Sequence, residues 1–142
     1  MDKPICIVFT GIYRTMGVEK MYTQNYKVLK KILPYSDIIF NFSKLDNETY
    51  DNLDKVIKLF KPVKIAYHDY KDCIVKHDKD VPRILPRPHF YGWKNAFSEI
   101  LELEKNKSNK YKYILKFRTD VLLLNNFPEY YEDYLGIDYN DK

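Results

Sequence analysis

Glycine is scarce in this chain. It occurs four times in 142 residues, never at the G-x-G-x-x-G spacing of a dinucleotide fold and never before the G-K-[ST] of a phosphate-binding loop. Simple Rossmann oxidoreductase and P-loop NTPase readings lose most of their support on that ground. Cysteine is scarcer still: Cys6 and Cys73 stand far apart with no C-x-x-C, which indicates neither a zinc site nor a disulfide framework, and buried reduced thiols are expected. No run approaches the ~18 apolar residues that span a bilayer. The opening MDKPICIVFTG reaches a turn too soon for a signal peptide. A soluble cytoplasmic protein is therefore predicted, and the Asn-x-Ser/Thr sequons at Asn41, Asn47 and Asn106 carry no expected glycan.

What is present is globular. Hydrophobic residues make up 45% and charged residues 31%, enough for one domain over residues 1–142 that buries roughly two-thirds of its unfolded surface. Aromatics reach 16%, with 14 tyrosines, in part a compositional bias. The net charge of +4 permits an anionic ligand but lacks the concentrated basic stripe of a nucleic-acid binder, so no nucleic-acid partner is expected.

Strand and helix patterns alternate. ICIVFTG (5–11) is a β-branched run stopped by glycine, a buried strand feeding a turn. Residues 17–33 place Val18, Met21, Tyr22, Leu29, Ile32 and Leu33 at helical spacing before Pro34. SDIIFNF (36–42) is a second strand. NETYDNLDKVIKLF (47–60) is a second helix with Tyr50, Leu53, Val56, Ile57 and Phe60 on one face, and VKIAYH (63–68) a third strand after Pro62. The proline-rich stretch from Asp69 to Pro88 reads as a long irregular segment covering the functional edge, since connection alone needs less chain. GWKNAFSEILELEK (92–105) is a helix whose stripe Trp93, Ala96, Phe97, Ile100 and Leu101 is expected in the core. YKYILKFRTDVLLL (111–124) is the last strand, its lysines and tyrosines alternating on a sheet rather than stacking on bases. This order implies right-handed βαβ units: a three-layer α/β/α fold with a mostly parallel sheet.

Ligands of such sheets bind at the strand carboxyl ends. That rule selects Gly11 to Thr15, Tyr67 to Asp69, and Arg118-Thr119-Asp120. Burying a lone carboxylate in the last strand would cost several kcal/mol. Arg118 and Asp120 are thus either a mutual ion pair or a strand end presented to a ligand. Arg14 suits a phosphate by its guanidinium fork, its plain alternative being a surface arginine. Asp78-Lys79-Asp80 has the D-x-D spacing that holds a hard cation, yet reads as a solvated charge run in its lysine-rich loop. His68, His77 and His89 are scattered without H-E-x-x-H, so no histidine metal site is expected. No Ser/His/Asp or Cys/His arrangement emerges.

Taken together, FTGIYRT, FYGWKNAFSEILELE and YKYILKFRTDVLL resemble the nucleotide-sugar-binding half of a GT-A-type glycosyltransferase. The likeness is to bacterial and giant-virus proteins with a G-x-x-R turn and a Y-x-Y-I-x-[KR]-x-R-[ST]-D strand. It spans Ile5 to Leu124. It implies a glycosyltransferase that binds a nucleotide-sugar donor, with Gly11, Arg14, Arg118 and Asp120 as donor-site residues and His68 and Asp69 as accessory ones; the acceptor is not readable. For a viral member the expected location would be the host cytoplasm or the virion. Asp120 corresponds to the second carboxylate of the family's D-x-D, the ligand of a divalent metal (manganese or magnesium) bridging the donor diphosphate. Arg118 stands where the first carboxylate would be, and is suited to anchor a phosphate itself. Family members continue well past this strand, whereas about 20 residues follow Asp120 here. The chain accordingly reads as a truncated or split member, or as a non-catalytic binding module on the same fold.

Overall fold

ICIVFTG folds as its composition requires. Strand β1 (Ile5–Gly11) is apolar on both faces, and Ile5 to Phe9 are each at most 1% exposed. A computed structural model describes residues 2–69 and 87–124. The proline-rich segment, with Cys73 and Asp78-Lys79-Asp80, and the tail beyond Leu124 lie outside the described residues, as does the expectation that the segment covers the functional edge. The remaining strands are β2 (Ser36–Lys44), β3 (Lys64–Asp69) and β4 (Tyr113–Arg118), and the helices α1 (Glu19–Leu29), α2 (Leu53–Phe60) and α3 (Arg87–Glu104). Among the described residues the strands form one sheet in the order β3-β2-β1-β4. Every pairing is parallel.

Two apolar cores flank the sheet. On one side Ile5, Ile7 and Phe9 join Ile38, Phe40 and Phe117 beneath Tyr22, Leu29, Val56 and Phe60 of α1 and α2. On the other, Cys6, Val8 and Ile39 meet Ala96 and Ile100 of α3. The aromatic surplus has a structural use: the Phe9 ring lies 5.9 Å from Phe40 and 5.6 Å from both Phe60 and Phe117, centre to centre. Each such buried side chain contributes about 1.5–3 kcal/mol relative to exposure. No described helix is long and apolar enough to cross a membrane. Asn41, the first residue of one sequon, is 1% exposed with its amide engaged, which removes it as a glycan acceptor.

Several element boundaries differ from the sequence expectation, each for a local reason. Helix α1 ends at Leu29, and Pro34 sits in a separate 3-10 turn, Leu33–Tyr35. Helix α2 begins only at Leu53 because Asn47 and Asn52 adopt left-handed backbone (φ 64° and 62°), a conformation asparagine tolerates better than most residues and a helix cannot contain. Strand β4 stops at Arg118, not Leu124. Beyond it the chain runs along α1, where the Asn25 Nδ2 donates to the Val121 carbonyl and its Oδ1 accepts from the Leu123 N–H, both at 2.8 Å.

The α3 stripe requires a larger correction. Ala96 and Ile100 are buried, but Trp93, Phe97 and Leu101 are 38%, 51% and 61% exposed. Helix α3 packs over β1 and β2 through its small Ala96, and β4 keeps Ile114 open on that face. Periodicity locates an apolar arc on a helix without saying which part of it meets the sheet. Trp93 instead holds the Lys116 ammonium 4.3 Å from its ring centre. Burial, with Arg118 nearby, lowers the pKa of that lysine.

Burial also raises acidic groups around both cores. The Cys6 thiol is pushed up to about 12 and the Tyr50 phenol to about 12, and the Tyr13 and Tyr111 phenols are raised as well. These groups ionise more readily in the unfolded chain, so above their ordinary values the unfolded state binds fewer protons and stability falls with pH. Their contribution is complete at pH 8 and should be lost progressively from about pH 9 to pH 12. Denaturant midpoints measured across that range check the decline, and the Cys6 thiol should stay unmodified by thiol reagents in the native state at pH 8.

Candidate functional site at the carboxyl edge of the sheet

Because all four strands run the same way, their carboxyl ends share one edge. Strand β1 has its successor β2 on one side and the non-consecutive β4 on the other, which makes the β1/β4 junction the point where the strand order reverses. Thr119 and the backbone of residues 10–12 assemble this junction. Thr119, 3% exposed, donates its amide to the Thr10 carbonyl (2.9 Å) and its hydroxyl to the Ile12 carbonyl (2.6 Å). Gly11 makes that approach possible: its φ is +126°, and a Cβ there would sit 2.8 Å from the Thr119 Oγ1.

With Thr119 turned inward, its neighbours turn outward. The Arg118 Nη2 donates to the Asp120 Oδ2 at 2.7 Å, and the two side chains are 53% and 45% exposed. The sequence left open whether a buried carboxylate was being compensated; neither group is buried. An exposed pair of this kind adds about 0–1 kcal/mol, too little to account for two charges at the end of an apolar strand. Arg14 lies on the turn after β1, exposed, and among the described residues it makes no hydrogen bond or ion pair. The structure thus places Arg14 and Asp120 on the same edge but records no contact between them.

The opposite end of the edge is also polar. His68 and Asp69 close β3, Ser43 pairs in register with His68, and the His68 Nε2 lies 2.7 Å from the Ser43 Oγ. The His68 Nδ1 lies 3.2 Å from the Asn41 Oδ1, while the Asn41 Nδ2 donates to the Gly92 carbonyl at 3.0 Å. The last bond fixes the amide orientation, so Oδ1 must accept. In the neutral ring Nδ1 then carries the proton, and Nε2 accepts from Ser43. Sequence reasoning selected His68 but missed its partners Asn41 and Ser43. Their signal was the alternation of Asn41 and Ser43, which puts both on one face of β2. The bond order matches a hydroxyl relay, but Ser43 is 4% exposed, so the arrangement orients the imidazole rather than offering a nucleophile.

Three inter-strand spacings separate β3 from β4, about 14 Å. Among the described residues no group of three His, Cys, Asp or Glu side chains converges as a metal site. Compared with protein-family models, curated proteins and solved structures, the chain matches none. The junction makes its own prediction. Gly11→Ala combines an unfavourable φ with a 2.8 Å clash, and denaturant unfolding should show a loss above about 1 kcal/mol. Adding Thr119→Ser, which removes the neighbouring methyl but keeps the hydroxyl, should leave most of that loss in place.

Proposed function

We propose that the carboxyl edge binds a nucleotide-sugar donor, and that the domain is a GT-A-like glycosyltransferase unit transferring that sugar to an acceptor. The observation that carries the reading is the half-exposed Arg118–Asp120 pair at the β1/β4 junction. It is placed where open parallel sheets hold ligands and is too weakly stabilising to be there for the fold. The Arg118 guanidinium, with Arg14 from the adjacent turn, would take phosphate oxygens, and Asp69 with the ring face of His68, whose nitrogens Ser43 and Asn41 occupy, would meet the far end of the ligand. A ligand reaching both ends must extend about 14 Å, longer than a diphosphate alone and suited to a nucleoside diphosphate bearing a sugar.

A divalent cation, manganese or magnesium, fits such a site only if the donor supplies most of its ligands. Asp120 offers one carboxylate, and cations of this type are commonly held by one or two carboxylates plus substrate phosphates. Bound there, the ion would supply charge neutralisation for the departing diphosphate. Asp120 would hold the ion, and Arg118 would take the phosphates. Without an ion, the same arginine provides the electrostatic stabilisation directly.

A second reading, a non-catalytic interaction module on this fold, is favoured by one observation: Trp93, Phe97 and Leu101 stand exposed along α3 beside Ile114.

Asp120→Asn tests the donor site. Because both partners are half exposed, the substitution should cost no more than about 1 kcal/mol. It should still abolish the additional rise in melting temperature that manganese gives the unaltered protein in the presence of a nucleoside diphosphate. A panel of nucleoside diphosphates that shifts neither protein would exclude the donor site.

A further inference from the structure

The amino edge of the sheet holds a feature that the carboxyl edge does not explain. Between the ends of α1 and α2 opens a cavity of about 390 Å³ with Phe60 and Tyr26 in its wall and Lys3, Lys30, Lys58 and Lys61 around it. No acidic side chain lines it. Lys3 donates to the Ser36 carbonyl at 3.3 Å, while Lys30, Lys58 and Lys61 make no side-chain hydrogen bond or ion pair with any described residue.

Lysines do gather at helix C-termini, where the backbone is partially negative, and both α1 and α2 end here. Magnitude decides whether that suffices. Each terminus carries about −0.5 charge, so two of them offset about one of four ammonium groups. About three positive charges remain around one concavity, and its volume lies within the range of small-molecule sites, about 300–1,000 Å³. Phe60 is 3% exposed, and its ring meets that of Tyr26 edge-on at 5.9 Å, giving the site a packed wall rather than a flexible one.

We infer that this cavity binds a small ligand carrying two or more phosphate groups. A single carboxylate or monophosphate would leave most of the charge uncompensated, and the concave shape favours a compact anion over a long polymer. The phosphates could belong to a free oligophosphate or to a phosphorylated lipid headgroup, since both present the same oxygens. The site lies at the other end of the sheet from Arg118 and Asp120, and it stands independently of the donor-site reading.

Calorimetric titration of the full chain with inorganic triphosphate, at about 150 mM salt to screen diffuse attraction, tests it. The unaltered protein should bind. Lys30→Gln/Lys58→Gln should bind about tenfold more weakly or not at all, with an unchanged melting temperature. In Arg118→Gln/Asp120→Asn, which removes any phosphate binding at the carboxyl edge, the binding lost in the Lys30/Lys58 variant should persist with its affinity unchanged, which separates this cavity from that edge. Lys20→Gln/Lys94→Gln, which removes two exposed lysines elsewhere, should also have no effect. Cosedimentation with phosphatidylcholine vesicles containing a bisphosphorylated phosphoinositide then separates the sources. Capture that triphosphate competes away assigns a lipid headgroup, and triphosphate binding without capture assigns a free oligophosphate. Failure of the unaltered protein to bind triphosphate would overturn the inference, as would equal losses in the cavity variant and the Lys20/Lys94 control.

Discussion

Complete burial of β1 governs the molecule. With Ile5 to Phe9 out of water, each peptide group of the strand must find a partner in a neighbouring strand, because an unpaired buried N–H or C=O costs about 1–3 kcal/mol. Strand β2 meets that requirement on one side and β4 on the other. Both faces must be covered too, which sets α1 and α2 against one core and α3 against the other. Chain order then decides the rest. The path moves outward from β1 to β2 to β3 and crosses back to β4, so among the described residues the reversal of strand order lies beside the most buried strand.

That reversal concentrates polar chemistry without burying charge. Thr119 is the single polar side chain of its triplet to turn inward; the Ile12 carbonyl satisfies its hydroxyl and the Thr10 carbonyl its backbone N–H. The period of two sends Arg118 and Asp120 outward on either side of it. Across the sheet, Asn41, Ser43 and His68 resolve the same difficulty differently: they are largely buried, and each satisfies the next. One end of the edge therefore presents a half-exposed ion pair, and the other a fixed imidazole whose two ring nitrogens are already engaged.

Much of this was legible in the sequence, and the failures have physical causes. The strands were readable because parallel strands buried on both faces are continuous apolar runs, and ICIVFTG spans β1 from Ile5 to Gly11. The polar strand ends were readable for the converse reason, since charges inside such runs require explanation. The packing of α3 was not readable: its stripe covers more arc than the sheet contact uses, and the smallest member, Ala96, marked the true interface while Trp93 and Phe97 did not. Nor was the role of Asn25, whose amide replaces a strand partner for residues 121–123, because that substitution depends on contacts 96 and 98 residues away. The asparagines at 47 and 52 carried a turn signal that the apolar spacing of Tyr50 and Leu53 concealed.

The two edges of the sheet also differ electrostatically, for one reason. In right-handed βαβ units each helix starts near the carboxyl edge and ends near the amino edge, so backbone dipoles make the first slightly positive and the second slightly negative. Charge placement follows this only in part. Glu19 and Asp54 occupy the first turns of α1 and α2, and Lys27 and Lys58 the last turns, as the dipoles favour. Yet Arg14 and Arg118 stand on the edge that is already positive, against the dipoles, and the lysines of the amino edge exceed what two helix ends neutralise. Local backbone electrostatics explains the paired and matched charges on this protein. It leaves over Arg14, Lys30 and Lys61, which make no hydrogen bond or ion pair with any described residue, so these are the charges on which the two proposed anion sites would draw.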